Sequence, residues 1–353
     1  MKKRIIIILT AIILFLALLA GAGILFLSIS EYKPAASESV AINPALARKP
    51  VRNEVIDLLI WNTGYASLGE KEDFFMDGGR GVRPAKMENV EENLTAIKNF
   101  IINSEADIVF LQEVDLNSKR SYNINQVDYL SKAWGGSSAF ALNFKCPFVP
   151  VPFPEFIGKV ESGLLSLLYF SGTAERIALP SPFKWPERAA QLKRCLLITR
   201  VPLQEAGAEL VLINLHLEAY DSGGEGRIAQ TALLAQTMKA EYEKGNYCVA
   251  GGDFNQVFPS YKDAFPIEEN KYFTPGIVDE GLFGQGWVLA ADPSSPTCRS
   301  LDKPYSGFRE NHQFYMIDGF ILSPNVRMVS VQTIDLNFKN SDHNPVKLSF
   351  SLD

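Results

Sequence analysis

From residue 54 onward the apolar positions follow two rhythms. Short, nearly continuous runs, VIDLLIW, ADIVFLQEV, GLLSLLYF, RCLLITRV, ELVLINLHL, YCVAGGDFN, MIDGFILS and VKLSFSL, have the length and composition of strands buried on both faces. Between them, ENLTAIKNFIINSE and GRIAQTALLAQTMKAEYEKG repeat apolar residues at three- and four-residue spacing, the pattern of amphipathic helices. Strand runs interleaved with helices predict one α/β domain over residues 54–353.

The N-terminal pattern is different in kind. After Lys2-Lys3-Arg4 no charge occurs before Glu31, and a helix over Ile5 to Leu27 is roughly 35 Å long, enough for a hydrocarbon core of ~30 Å. Residues 1–30 are therefore expected to form a transmembrane anchor. The basic cluster stays in the cytoplasm and places the body outside, in a single-pass cell-membrane protein. A cleaved signal sequence, with Ala20-Gly21-Ala22 offering small residues, is the alternative and makes the body a secreted one.

Residues 31–53, rich in Ala, Pro and Ser without a sustained period, read as a linker. The stretch FKCPFVPVPFPEFIG, residues 144–158, combines prolines that forbid a regular helix or central strand with an unusual density of aromatics. It reads as a loop packed on the core or as a lip facing substrate or membrane.

The formal charge is −6, and beyond the three N-terminal cations there are 31 basic against 40 acidic residues. That balance argues against coating of nucleic acid and leaves room for a local basic patch. Cys146, Cys195, Cys248 and Cys298 are widely spaced with no CxxC pair, which disfavours structural zinc and suggests buried thiols.

Polar residues close several of the apolar runs. Asn62 ends LLIWN, Glu113 ends IVFLQE, His216 lies in LINLH, Asp253 and Asn255 follow CVAGG, Asp318 enters DGFIL, and Asp342-His343 precede the last strand. Each alone has a structural use as a turn former, a cap or a core imidazole. Together they suit phosphoester chemistry: oxygen donors from Asn62, Glu113, Asp253, Asn255 and Asp342 match a hard divalent cation, and a histidine backed by Asp318 suits proton transfer near neutrality.

In their order, WN, LQEVD, NLHLE, GGDFN, IDGFIL and SDHNPV resemble the endonuclease/exonuclease/phosphatase superfamily, the deoxyribonuclease I-like fold. The resemblance runs from about Val55 to the C-terminus and extends to LQEVDLNSKRSYNINQ, RIAQTALL and SPTCR. It implies a four-layer α/β/β/α sandwich of two mixed β-sheets. It also implies that Glu113 and Asn62, with Asp342, hold Mg2+ or Mn2+, and that Asp253 orients or activates the attacking water. Asn255 would bind phosphate or metal on the same strand face, His216 would hydrogen-bond the phosphoryl oxygens, and Asp318 would pair with His343 as general base or acid. Arg120 and Arg227 match arginines near the family's substrate side, and Glu161 is the one weak candidate for a carboxylate supporting His216. His312 matches no motif and reads as surface or substrate rim.

The activity so implied is metal-assisted in-line hydrolysis of a phosphate ester, with a phosphodiester and a lipid head group favoured by the tether and the acidic balance. A surface or secreted nuclease is the first alternative, and a non-catalytic binding protein retaining the fold the second. The expected partners are a phospholipid or nucleic-acid substrate and the membrane, with no obligate protein partner.

Overall fold

In the computed structural model the apolar runs become strands in the order the pattern predicts. Residues 2–353 are described, apart from 44–47, 206, 222 and 269–270. The chain begins with α1 (Lys2–Ile29), β1 (Ser37–Val40), β2 (Ile42–Asn43), β3 (Ile56–Asn62), α2 (Met87–Asn103), β4 (Ile108–Asp115) and α3 (Gln126–Trp134). It continues with β5 (Ser137–Val149), β6 (Gly158–Leu168), β7 (Thr173–Ala178), β8 (Cys195–Pro202), β9 (Glu209–His216), α4 (Glu225–Glu243) and β10 (Tyr247–Asp253). The last part holds β11 (Gln256–Val257), β12 (Gly276–Ile277), β13 (Val288–Ala290), β14 (Cys298–Arg299), β15 (Phe314–Tyr315), β16 (Asp318–Leu322), β17 (Val326–Thr333) and β18 (Val346–Leu352).

Two seven-stranded sheets result, ordered β1-β7-β8-β9-β10-β16-β13 and β17-β18-β3-β4-β6-β5-β2. In each sheet one neighbouring pair is parallel, β9 with β10 and β3 with β4, and the remaining pairs are antiparallel. Side chains alternate across a strand, so β3 sends Ile56, Leu58 and Ile60 into the layer between the sheets, where they meet Leu210, Val249 and Phe320. Its other face, Leu59 and Trp61, packs beneath α2 on Leu94, Ile97 and Ile101. α4 covers the outer face of the first sheet through Leu234, Ala235 and Met238. The four layers, α/β/β/α, are those the resemblance implies.

Two segments depart from the sequence reading. Residues 31–53 do not run as a free linker: β1 pairs with β7 and β2 with β5, so this stretch supplies an edge strand to each sheet. An edge strand needs a ladder on one side only, and β1 buries neither face fully, so no apolar alternation marks it in the sequence. The proline-rich stretch is also partly strand, since β5 runs on to Val149. Pro147 is tolerated because the register with β6 shifts between Cys146 and Val149, where the ladder is already interrupted.

A partly buried ion-pair network ties α4 to its sheet. Arg200 of β8 donates to both carboxylate oxygens of Glu241, at 2.8 and 2.9 Å, and to Glu175 of β7 at 3.1 Å. Its hydrogen bonds hold the Glu241 carboxyl down at about 2, against an ordinary value of 4.5. A depressed carboxylate contributes stability that is complete above the unfolded value and is lost as pH falls from 4.5 toward 2. Denaturant midpoints measured across that window are expected to fall less steeply for Glu241→Gln than for the wild type, with an unchanged slope above pH 5.

Candidate active site

The ends of strands from both sheets converge on one cavity of about 790 Å3. In the first sheet the parallel register of β9 and β10 sets His216 opposite Asp253, and the antiparallel register of β16 sets Asp318 opposite Asp253. Gly252 makes this close packing feasible: its φ is +143°, and a Cβ there would lie 2.1 Å from the Leu215 carbonyl oxygen. In the second sheet Asn62 closes β3 in register with Gln112.

Glu113 reaches the cavity by an irregularity. Leu111 and Val114 of β4 both pack on the helix side, and the register with β6 shifts between them, with Glu113 at φ +57°. Such a bulge re-aims a side chain, here from the helix layer into the cavity.

Asp253 is the hub. Its Oδ2 accepts from Asn62 Nδ2 at 3.0 Å and lies 3.3 Å from His216 Nε2 and 3.9 Å from His343 Nε2. Its Oδ1 accepts the Asn255 backbone N–H at 2.8 Å. The Nδ1 of His343 meets Asp318 Oδ2 at 2.8 Å, leaving Nε2 directed toward Asp253. The indole of Trp61 donates to the His343 carbonyl at 2.9 Å and so fixes the backbone of that residue.

Negative charge is concentrated here. Burial, then Asp342, pushes the Glu113 carboxyl up to about 8, and burial, then Asp318, pushes Asp253 up to about 7. Burial also raises Asp342. The two histidines diverge. Burial, Arg194 and His343 hold His216 well below the ordinary imidazole value, whereas the pull of Asp318 overcomes burial and holds His343 well above it.

Three carboxylates crowded into one cavity stay raised despite Arg120, Arg299 and His343 nearby, and with oxygen as the dominant donor they fit a hard divalent ion. Among the described residues, Asp253 with Asp318 and His343, and Cys298 with Asp342 and His343, bring ligand atoms within 4.8 Å of one another. Glu113 belongs to neither grouping, although it lines the same cavity as Asn62 and Asp342.

No protein-family model matches the chain, and no curated protein matches it in sequence. Solved structures do match in fold. An endonuclease/exonuclease/phosphatase from Beutenbergia cavernae aligns with a TM-score of 0.59 at 17% identity, over 85% of this chain and 72% of its own. The chain has the endonuclease/exonuclease/phosphatase fold. D. rerio TDP2 with a single-strand DNA product aligns at TM-score 0.53 and 16% identity over 85% of this chain and all of its own. The human Nocturnin catalytic domain with bound sulfate aligns at 0.52 and 17% identity over 89% and 98%.

Within this endonuclease/exonuclease/phosphatase fold, the lesser motifs of the sequence hold the loops that carry the site. Asp115 accepts from Ser118, Arg120 and Ser121, while Gln126 Oε1 accepts its backbone N–H, which pins the turn after Glu113. Gln230 on α4 accepts the Glu218 N–H and so fixes the turn after His216. Thr297 accepts the backbone N–H groups of Ile317 and Asp318 at the entry to β16.

Several expectations are changed by the tertiary contacts. Asn255 does not share the strand face of Asp253: β10 has ended, Asn255 sits at φ +50°, and its side chain donates to the Leu217 carbonyl at 3.0 Å. Glu161 pairs with Lys145 and Lys159 on the sheet and lies outside the cavity lining, so it does not support His216. Arg227 is held by Asp221 at 3.0 Å behind Asn255 and does not line the cavity. Arg120 does line it, buried in its pair with Asp115 and 3.2 Å from the centre of the Tyr65 ring. His312 accepts from Ser306 in an outer loop, away from the cavity.

The sequence reading missed Arg194, Asp77 and Tyr220, which also line the cavity. Arg194 faces Glu218 and the His216 carbonyl. The Tyr220 hydroxyl donates to Asp77 at 3.1 Å, and burial with Asp342 pushes Asp77 up to about 6. All three enter from loops or strand starts, where no periodic signal marks them.

Proposed function

We propose that the protein is a divalent-metal-dependent phosphoric ester hydrolase that cleaves a phosphodiester, with a lipid head group as its leaving or retained part. α1 holds the body on the extracytoplasmic face of the membrane. The observation that carries the reading is the His343–Asp318 pair at 2.8 Å beside Asp253, in a cavity that also holds Glu113 and Asp342.

A Mg2+ or Mn2+ ion at Glu113, Asn62 and Asp342 would neutralise phosphate charge and polarise the phosphoryl group. Asp253, raised toward neutrality, orients water in line with the scissile bond and accepts its proton. His216, uncharged and buried, hydrogen-bonds a phosphoryl oxygen, and Asn255, turned to the Leu217 carbonyl, holds Asp253 through its backbone N–H. His343, kept protonated by Asp318, gives the proton at Nε2 to the departing oxygen. Arg120 anchors the turn that carries Glu113, and Arg227 braces Asn255.

The orientation rests on Lys2-Lys3-Arg4 before an apolar helix that carries no further charge. A nuclease is the second reading, favoured by the D. rerio structure with its DNA product. The full chain is to be assayed against sphingomyelin, phosphatidyl lipids, single-stranded DNA, RNA and inositol phosphates, with Mg2+ or EDTA. EDTA-sensitive turnover of the lipids is the expected result, whereas turnover of nucleic acid alone would replace the lipid reading.

A further inference from the structure

The foot of α1 is not detached from the body. Glu31, with its side chain 3% exposed, is bonded by Arg188 at 2.9 Å and by Lys193 at 3.0 Å. The indole N–H of Trp185 donates to Ser28 at 2.9 Å, and Leu27 packs on the cluster of Phe144, Val149 and Ile157. Two cations on one shielded carboxylate, together with the Trp185 and Leu27 contacts, tie the foot of the helix to the body.

The cavity that contains the candidate active site extends to this foot. Ile24 and Leu27 of α1 line it, as do Val149, Val151 and Ile157 of the proline-rich rim. Its inner end is polar and acidic, and its outer wall is apolar and partly made by the helix itself. Around the mouth the exposed apolar residues include Phe153 at 85%, Trp185 at 61%, Val151 at 47% and Phe148 at 39%, with the carboxylate of Glu155 among them paired to Arg83. No protein segment among the described residues covers them.

α1 itself identifies the occupant. Residues 5 to 26 of the helix are exposed and apolar, so a bilayer that surrounds them ends at Ser28, where Trp185 is attached. Tryptophan and phenylalanine at the end of a membrane helix favour the interface between acyl chains and head groups. The rim is continuous with the helix, so the same leaflet reaches it.

We propose that this rim, Phe148 to Ile157 with Trp185, docks into the leaflet at the foot of α1. There the apolar outer wall of the cavity receives the hydrophobic part of an amphiphilic phosphoester directly from the bilayer. The inference rests on the hydrolase reading for its chemistry and on α1 as a membrane span for its orientation. Its occupant is a lipid surface, and the phosphate reaches the acidic end of the cavity while the chains remain against Ile24, Leu27 and Val151.

Two measurements on the full chain reconstituted into phosphatidylcholine–sphingomyelin vesicles test it. In the first, a nitroxide attached at Phe153→Cys is compared with one at Val329→Cys, on the exposed β17 edge. The label at 153 is expected to be open to oxygen and shielded from a water-soluble nickel complex, and the label at 329 the reverse. Equal nickel access at both positions overturns the docking.

In the second, Phe148→Ser/Phe153→Ser and Trp185→Ala, at rim residues that do not line the cavity, are assayed on vesicle sphingomyelin and on soluble bis(p-nitrophenyl) phosphate. Lipid turnover is expected to drop about tenfold or more, with hydrolysis of the soluble ester unchanged. An equal drop on both esters, or none on the lipid, overturns the proposal. A lipid-embedded 153 label in a wild type that hydrolyses neither ester leaves the docking standing and removes the hydrolase reading.

Discussion

Replacing His343 with alanine is expected to lower kcat on the substrate of the full chain by about 10²–10⁴-fold, the range for loss of a positioned proton donor. KM is expected to change little, because the imidazole acts on the departing oxygen and not on the bound ground state. Asp318→Asn is expected to have a smaller effect of the same kind, since the amide keeps a hydrogen bond to Nδ1 but removes the charge that raises His343. The pH profile separates the two roles. If His343 is the acid, the alkaline limb of kcat in the wild type lies well above the ordinary imidazole value and moves down in Asp318→Asn. A limb that stays in place in that variant would assign the proton to another group and leave Asp318 as a structural partner.

The second large effect concerns Glu113 and combines stability with metal binding. Burial and the charge of Asp342 push its carboxyl up to about 8. An acid whose folded value exceeds its unfolded value of 4.5 supports the fold below that value and loses the contribution as pH rises through 8. The metal-free chain is therefore expected to become less stable from pH 4.5 to 8. A divalent ion reverses the trend, since ligand at 100 times its Kd contributes about 2.7 kcal/mol. The rise in Tm with Mg2+ should accordingly be larger at pH 8 than at pH 5. Glu113→Gln removes the buried charge that Arg120 and His343 offset only in part. It is expected to raise the Tm of the metal-free chain at pH 8 by about 2–4 °C, to abolish the Mg2+-dependent rise and to eliminate turnover. Thermal scans with EDTA and with Mg2+ at both pH values measure this directly, and a Glu113→Gln protein that retained the full Mg2+ shift would place the ion elsewhere.

Much of the site was legible because buried strands are so uniformly apolar. In LLIWN and CVAGGD a single polar residue ends the run, and in LINLH His216 ends it after Asn214, which is spent on core hydrogen bonds to Gln112, Leu111 and Leu165, so Asn62, His216 and Asp253 stand out from their own strands. Strands without that contrast were missed. β17 exposes most of its residues, and β1 and β2 are short edges whose pairing partners lie about a hundred or more residues away. Arg194, Asp77 and Tyr220 were missed for a related reason, since they reach the cavity from segments whose path is set by other elements. The proline-rich stretch was read as a loop or lip, yet its residues as far as Val149 belong to β5 and pair with β6, because an interrupted register accommodates Pro147.

By itself the sequence determined the alternation of strands and helices, the apolar N-terminal helix, and the set of polar residues that close the runs, because each follows from local periodicity and from the cost of burying an unpartnered polar group. The tertiary structure decided the rest. The bulge in β4 turns Glu113 from the helix layer into the cavity, and the register of β10 with β16 sets Asp318 opposite Asp253. The stacking of the two sheets brings His343, just before β18 of the second, to 2.8 Å from that Asp318, and the buried Glu31 pair sets the apolar helix against the cavity mouth. Registers, bulges and docked ion pairs are relations between distant segments, and no local pattern encodes them.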